Sequence, residues 1–298
     1  MQIKRVLILT NPKSGKGRAP EFAISLIEQA KARDISAVML EPIDASSAIR
    51  DLKQTLNRSS FDAVIAIGGD GLVHLILQAL AKSGTPLYVV PAGTGNDFAR
   101  ANASITVKPK EIFDTMLGEN PRKIDIGEIV AKGSQRYFGQ ILSTGFDAQV
   151  NERANKNRIV KGAMKYNFAT LVVLPKFSAI NYELEIDGTL RKLPAMLVAV
   201  ANGPTYGGGM QLCPMADRHD GYLDVMILHP VSKLELIKVF PKVYSGKHIS
   251  HPAVEFIRAR EISIAANTIA YADGERISKL PIKVSISPES LVTWVKSR

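Results

Sequence analysis

The strongest constraint on this chain is a strand–turn–helix unit that recurs three times in its first hundred residues. Ile3 to Leu9 is a compact apolar run that breaks at Asn11-Pro12 and a Gly-containing turn. Residues 19–33 then carry Phe22, Ile24, Leu26, Ile27 and Ala30, a broad helical stripe. Ala63 to Ile67 is a second buried run and stops at Gly68-Gly69-Asp70-Gly71, ahead of a helix over Leu72 to Leu80. Leu87 to Val90 is the third, ending in Pro91-Ala92-Gly93-Thr94-Gly95-Asn96-Asp97. A shorter apolar segment, Ala37 to Leu40, precedes Asp44, which the pattern makes the N-cap of a helix through about Leu56. The repetition predicts an open, mostly parallel α/β sheet with helices on its faces. Ligands of such sheets bind beyond the carboxyl ends of the strands, and all three Gly-rich turns sit there.

After about Asp125 the pattern changes. Alternating strands dominate: Tyr137 to Leu142, Tyr182 to Ile186, Met196 to Val200, Leu223 to Leu228, Glu261 to Ala265 and Lys283 to Ile286. Asp187-Gly188, Asp220-Gly221 and Asp273-Gly274 punctuate them as turns. Helical stretches are expected over roughly 148–174 and 231–247. This half reads as an antiparallel β-sandwich domain, residues 126–287, behind an α/β domain of residues 1–125. With no linker in sight, the halves are expected to pack with a cleft between them.

Composition narrows the function. Thirty-eight Lys and Arg against 28 Asp and Glu give a net charge of +10, which favours a polyanionic partner: a nucleotide, a nucleic acid or an anionic membrane. A single cysteine, Cys213, excludes an intrachain disulfide framework and a Cys-based zinc site, and agrees with a reducing cytoplasm. The start, MQIKRVLILTNP, has neither signal-peptide nor transit-peptide character, so Met1 is read as the true beginning. The longest uninterrupted apolar run is Ala195 to Ala201, far short of the ~18–20 residues that cross a bilayer. The expectation is a cytoplasmic protein that visits membranes rather than crossing them.

The turns carry the chemistry. Asn11-Pro12-Lys13-Ser14-Gly15-Lys16-Gly17 fails as a Walker A loop, since Thr10 takes the first Gly position and Gly17 replaces the Ser or Thr. Pro20 likewise breaks a dinucleotide fingerprint, and taken alone this turn is compatible with a plain strand–helix connection. Gly68-Gly69-Asp70-Gly71 says more. Glycines let backbone N–H groups approach phosphate oxygens, and the helix N-terminus that follows adds partial positive charge. A carboxylate there repels phosphate unless a cation such as Mg²⁺ bridges the two. Residues 91–100 form a second loop with a hydroxyl, an amide and a carboxylate at a helix start.

Three such turns in this order resemble the catalytic fold family of diacylglycerol kinases. That family includes bacterial soluble lipid kinases, sphingosine kinases and ceramide kinases, and is distantly related to NAD kinases. The matching segments are NPKSG at 11–15, GGDG at 68–71, PAGTGNDFAR at 91–100, KIDIG at 123–127, NGPTYGGGM at 202–210, DGYLDV at 220–225 and ADGE at 272–275. The resemblance implies an ATP- and Mg²⁺-dependent lipid kinase with its active site between an α/β domain and a β-sandwich. It also implies that the last strand, near 288–298, returns to the first domain.

ATP phosphates would lie over Asn11, Pro12, Lys13, Ser14 and Gly15, over Gly68, Gly69, Asp70, Gly71 and Leu72, and over Gly93, Thr94, Asn96 and Asp97. Asp70 and Asp125 would handle catalytic Mg²⁺, and Glu275, aided by Asp273, would take the proton from the lipid hydroxyl. On an extended strand end these two carboxylates would point the same way, although the motif alone reads as a hairpin turn with exposed acids. A second Mg²⁺ is implied at Asp217, Asp220 and Tyr222, through the Asp220 carboxylate and the backbone oxygens of the other two. The loop departs from the family's usual GGDGT in carrying Leu72 where the Thr stands, with His74 and Leu75 at usually polar positions.

The basic residues cluster as well. Between Asn151 and Lys165 lie Arg153, Lys156, Arg158, Lys161 and Lys165 against the single acid Glu152, a stripe that suits either a solvated face or a membrane-docking face. No aromatic platform or recognition helix supports nucleic-acid binding. The expected function is phosphorylation of diacylglycerol to phosphatidic acid at an anionic membrane surface, with homodimerisation common among relatives. Phosphatidylglycerol or a sphingoid base are the alternative substrates, and a catalytically degenerate nucleotide- or lipid-binding protein is the rival class.

Overall fold

The computed structural model describes residues 2–11, 14–42, 44–102, 108–156, 169–170 and 172–295. The chain divides into two compact units, residues 1–124 with 288–298, and residues 125–287.

The first unit is built as β1 (Arg5–Thr10), α1 (Ala19–Lys31), β2 (Ser36–Leu40), α2 (Ala45–Arg58), β3 (Ala63–Gly68), α3 (Asp70–Leu80), β4 (Leu87–Pro91), α4 (Asp97–Asn102) and α5 (Pro109–Gly118). The strands run parallel in the order β2-β1-β3-β4. Val6 to Leu9 and Ala63 to Ile67 are buried throughout, as strands covered on both faces must be, which is why they read as unbroken apolar runs. Asp44 caps α2 as expected: its carboxylate accepts from the Ser47 N–H at 2.8 Å, and the Ser47 hydroxyl serves the Asp44 N–H in return. Residues after Pro288 close this sheet, with Thr293 parallel to Leu87. Trp294 then enters the core, 5.7 Å from the Tyr88 ring, and its Nε1–H donates to the Glu119 carbonyl at 3.0 Å.

The second unit begins with β5 (Arg122–Ala131), β6 (Ser134–Phe138), β7 (Ile141–Gly145) and α6 (Phe146–Lys156). It continues through β8 (Ile180–Ile186), β9 (Thr189–Ala195), β10 (Leu197–Ala201), β11 (Leu223–Leu228) and α7 (Lys233–Val239). The last strands are β12 (Val254–Ala259), β13 (Glu261–Ala265), β14 (Ile269–Ala272), β15 (Glu275–Lys279) and β16 (Ile282–Thr293). One antiparallel sheet has the order β12-β11-β10-β7-β14-β15, and β16-β13-β8-β9 form an antiparallel run in another.

Alternation sorts the side chains. Val198 and Val200 join Leu184, Ile262 and Val284 in one core, whereas Leu197, Ala199 and Ala201 turn to a second core under α6 and α7. Both faces of β10 are thus covered, which explains its unbroken apolar sequence. Two expectations need correction. Tyr137 to Leu142 is not one strand, because Gly139 and Gln140 break it to serve a distant carboxylate described below. The helix expected over 231–247 is α7 followed by two 3-10 segments, since Pro241 cannot donate the N–H that would continue an α-helix.

Candidate active site

Within the first unit the three glycine-rich turns meet backbone to backbone. The Gly15 N–H donates to the Ala92 carbonyl at 2.8 Å, the Ala92 N–H to Gly68 at 3.0 Å and the Asn11 N–H to Ile67 at 3.3 Å. The middle and third turns approach so closely that a Cβ on Gly93 would sit 2.4 Å from the Gly69 Cα. Glycine is required at this contact by space alone. Asn96, at φ 55°, ties off the third turn by accepting from the Gly93 N–H at 2.8 Å and donating to its carbonyl at 2.9 Å. Thr94 is exposed on this turn, and Asp97 is buried in the first turn of α4.

α3 starts two residues earlier than the apolar pattern suggests, so Asp70 lies on its first turn behind Gly69 as N-cap. There its charge is favoured by the helix dipole. One Asp70 oxygen accepts the Phe98 N–H at 3.0 Å, joining the head of α3 to the head of α4. Leu72, the departure from the family loop, is 6% exposed and packs over Gly68, where a Cβ would meet its Cδ2 at 2.5 Å. The missing hydroxyl is therefore replaced by an interior contact. His74 is buried in α3. Pro12 and Lys13 lie outside the described residues. A cavity of about 440 Å³ opens beside the turns, lined among others by Gly15, Arg18, Phe22, Ser25, Val90 and Ala92.

The second unit gathers most of the remaining candidates through a chain of hydrogen bonds. Asp125 is buried on β5. Its N–H donates to the Arg218 carbonyl at 2.7 Å, and its carboxylate accepts the Gly221 N–H at 2.8 Å. Arg218 is itself buried, and the loss of solvent pushes its guanidinium pKa down to about 10 despite the nearby Asp217 charge. The Asn202 amide donates both to the Asp125 carbonyl at 3.0 Å and to the Gly139 carbonyl at 2.9 Å. Gly139 and Gln140 in turn donate their N–H groups to the Asp273 carboxylate at 2.8 and 2.9 Å. Asn202 and the Gly139-Gln140 corner were invisible as individual residues in the sequence. Only the NGPTYGGGM segment hinted at the first.

Asp273 and Glu275 do not share an extended strand end. Asp273 has φ 51° and Gly274 φ 85°, a tight turn of two left-handed residues that breaks the period of two. The Asp273 carboxylate is turned onto the 139–140 corner, whereas Glu275 opens β15 exposed to solvent. Of the predicted basic stripe, Arg153 is exposed on α6, and Arg158, Lys161 and Lys165 lie outside the described residues. Glu152 accepts from the Tyr271 hydroxyl at 2.6 Å and from Arg276 at 3.1 Å.

The two implied Mg²⁺ positions fare differently. An ion carried on nucleotide phosphates needs only one or two protein carboxylates, and within the first unit Asp70 is a carboxylate of that kind. The 217–222 turn does not fit an ion as it stands. Asp220 is paired with Arg258 through one oxygen and accepts the Tyr222 N–H at 3.0 Å through the other. Asp217 accepts from the His219 N–H at 3.2 Å. The Arg258 guanidinium lies 4.6 Å from the centre of the Tyr222 ring, so a protein cation already holds this turn. Expected thermal melts follow. Mg²⁺ without nucleotide leaves Tm where EDTA leaves it, and Arg258→Met costs about 1 kcal/mol. A Mg²⁺-dependent rise that Asp220→Asn removes would restore the ion to this turn.

A parallel α/β unit with paired glycine turns, continued by an antiparallel β unit, defines a two-domain class that the comparisons specify further. Residues 5–129 match the diacylglycerol kinase catalytic domain, and residues 140–295 match the YegS C-terminal NAD kinase beta sandwich-like domain. A diacylglycerol kinase of Mycobacterium tuberculosis is 36% identical over 293 residues, covering 97% of this chain and 94% of its own length. One from Staphylococcus aureus is 30% identical over 285 residues, covering 93% and 88%. The crystal structure of a diacylglycerol kinase from Bacillus anthracis shares the fold at a TM-score of 0.77 and 21% identity, with 99% and 98% of the two chains covered. The chain belongs to the diacylglycerol kinase family and is a lipid kinase. Among the described residues, no helix is long and apolar enough to cross a membrane.

Proposed function

We propose that the protein transfers the γ-phosphoryl group of ATP to the primary hydroxyl of diacylglycerol, giving phosphatidic acid, at the cytoplasmic face of an anionic membrane. The observation that carries the nucleotide half is the meeting of three glycine turns around Asp70, next to a cavity large enough for a nucleoside. Backbone N–H groups of Gly69, Gly71 and Thr94 donate to phosphate oxygens in this reading, and Phe22 and Val90 flank the nucleoside. Asp70 and Asp125 are the residues that would hold Mg²⁺ in this reading, and the ion would supply charge neutralisation at the phosphates.

Glu275 is the proton acceptor in this reading. Its exposed carboxylate removes the hydroxyl proton as the new O–P bond forms and the bond from the γ-phosphorus to the β,γ-bridging oxygen breaks, releasing ADP. Asp273, committed to two backbone N–H groups, positions the turn that presents Glu275. The named relatives favour diacylglycerol over other lipids as the acceptor.

The test is incubation of the pure protein with labelled ATP, Mg²⁺ and diacylglycerol in mixed micelles. Labelled phosphatidic acid is expected, with Glu275→Gln lowering kcat by roughly 10²–10⁴-fold at unchanged Tm. Label appearing instead on phosphatidylglycerol, a sphingoid base or NAD would reassign the acceptor. ATP binding with transfer to none of them would make the chain a binding protein.

A further inference from the structure

The segment 233–250 carries two apolar stripes where a surface helix ordinarily has one. Leu236 and Val243 face inward and join the core beneath the second sheet, and Val239 and His248 are buried beside them, His248 meeting the Leu212 carbonyl at 3.0 Å. The outward stripe is also apolar. Leu234 is 73% exposed, Ile237 52% and Tyr244 47%, and Pro241 is exposed between them. These four stand at i, i+3, i+7 and i+10, the spacing of one helical face. Ile249, 42% exposed, extends the patch past Gly246. Four of the exposed large apolar side chains among the described residues thus fall on this one segment.

Charge selects the occupant. Lys233, Lys238, Lys242 and Lys247 are all exposed along the segment. The only acid between them, Glu235, faces His251 at 3.1 Å. A second protein surface would have to bury these lysines or supply acids at matching positions, whereas an anionic bilayer takes apolar tips into its acyl boundary and lysines at its headgroups without further matching. The apolar surface does not end at the stripe. Ile237 and Pro241 also line a cavity of about 260 Å³ with Phe146, Leu174, Leu236 and Phe240, so the patch has depth as well as area. We infer that residues 233–250 form a face that docks on an anionic lipid bilayer. It rests on residues other than the basic stripe of the sequence, and it deepens the lipid-kinase reading by naming where the enzyme meets its substrate's membrane.

The experiment is co-sedimentation of the full chain with vesicles of phosphatidylcholine alone and of phosphatidylcholine mixed equally with phosphatidylglycerol. The wild type is expected on the mixed vesicles. The double variant Leu234→Ser/Tyr244→Ser and the double variant Lys238→Glu/Lys242→Glu should each lower the partition constant at least about tenfold. Leu190→Ser, which removes a side chain 57% exposed elsewhere on the same unit, should not change it. Unchanged Tm for each variant shows that folding is not the cause.

The inference is overturned if the wild type does not bind mixed vesicles, if either double variant binds as well as the wild type, or if Leu190→Ser loses as much. A double variant that turns a dimer into a monomer while still binding vesicles would assign the face to a second copy. Phosphorylation of a short-chain, water-soluble diacylglycerol separates the two readings. It should proceed equally in wild type and Leu234→Ser/Tyr244→Ser, and its absence in the wild type would sink the kinase reading without touching vesicle binding.

Discussion

Asp70→Asn is expected to keep the fold and lose the reaction, with phosphoryl transfer to lipid falling by roughly 10²–10⁴-fold. The asparagine carbonyl still accepts the Phe98 N–H that now meets Asp70 at 3.0 Å, so α3 and α4 stay joined. What disappears is the negative charge at the head of α3, which calls for a bridging cation between turn and phosphate. Asp70→Ala removes both. It leaves the Phe98 N–H without its acceptor beside a side chain that is 2% exposed, at a cost of about 1–3 kcal/mol. The pair therefore separates charge from scaffold: Tm distinguishes Asn from Ala, and turnover does not. Wild-type turnover in Asp70→Asn would show that the charge is unused and that the turn binds phosphate through its backbone alone.

The second large effect is expected at Gly93. A methyl group there would lie 2.4 Å from the Gly69 Cα and 2.9 Å from the Asn96 carboxamide oxygen. The first of these is backbone and cannot swing aside, so the two turns must part. Gly93→Ala is expected to cost about 1–3 kcal/mol in a chemical melt and to weaken ATP binding at least about tenfold. Gly118→Ala is the matched control, because a Cβ there meets nothing within 4 Å. Isothermal titration with a non-hydrolysable ATP analogue reads the affinity directly. Equal affinities in Gly93→Ala and Gly118→Ala would mean that the contact of the two turns plays no part in nucleotide binding.

The first unit was legible because its strands are covered on both faces. Ile65 and Leu7 can then only be apolar, and the glycines after them mark the chain reversals. Asp44 and its helix could be read locally, since cap and capped residue are three positions apart. The second unit was harder for the same physical reason inverted. β9 reads Thr-Leu-Arg-Lys-Leu-Pro-Ala, a strand with one wet face and a proline, and its partner β8 supplies the pairing that its own residues do not advertise. The Asp273 carboxylate finds its donors 134 and 133 positions away, so the break at Gly139-Gln140 and the direction of Asp273 both depend on a contact of long range. Arg258 opposite Asp220, 38 positions apart, is of the same kind. Local spacing could suggest that those acids matter, but not which partner holds them.

Strand β16 has a consequence for synthesis. Its residues up to Ser285 pair with β13, while Thr293 pairs with Leu87 and Trp294 fills the space against Tyr88. The nascent chain therefore makes β1 to β4 first, yet must translate the whole second unit before the strand and the indole that complete them emerge. Until then the edge of β4 and the Tyr88 ring stay uncovered, an open sheet edge of the sort that recruits wrong partners. The order of folding need not follow the order of translation here. The second unit has its own core and its pairings before Trp294 is made.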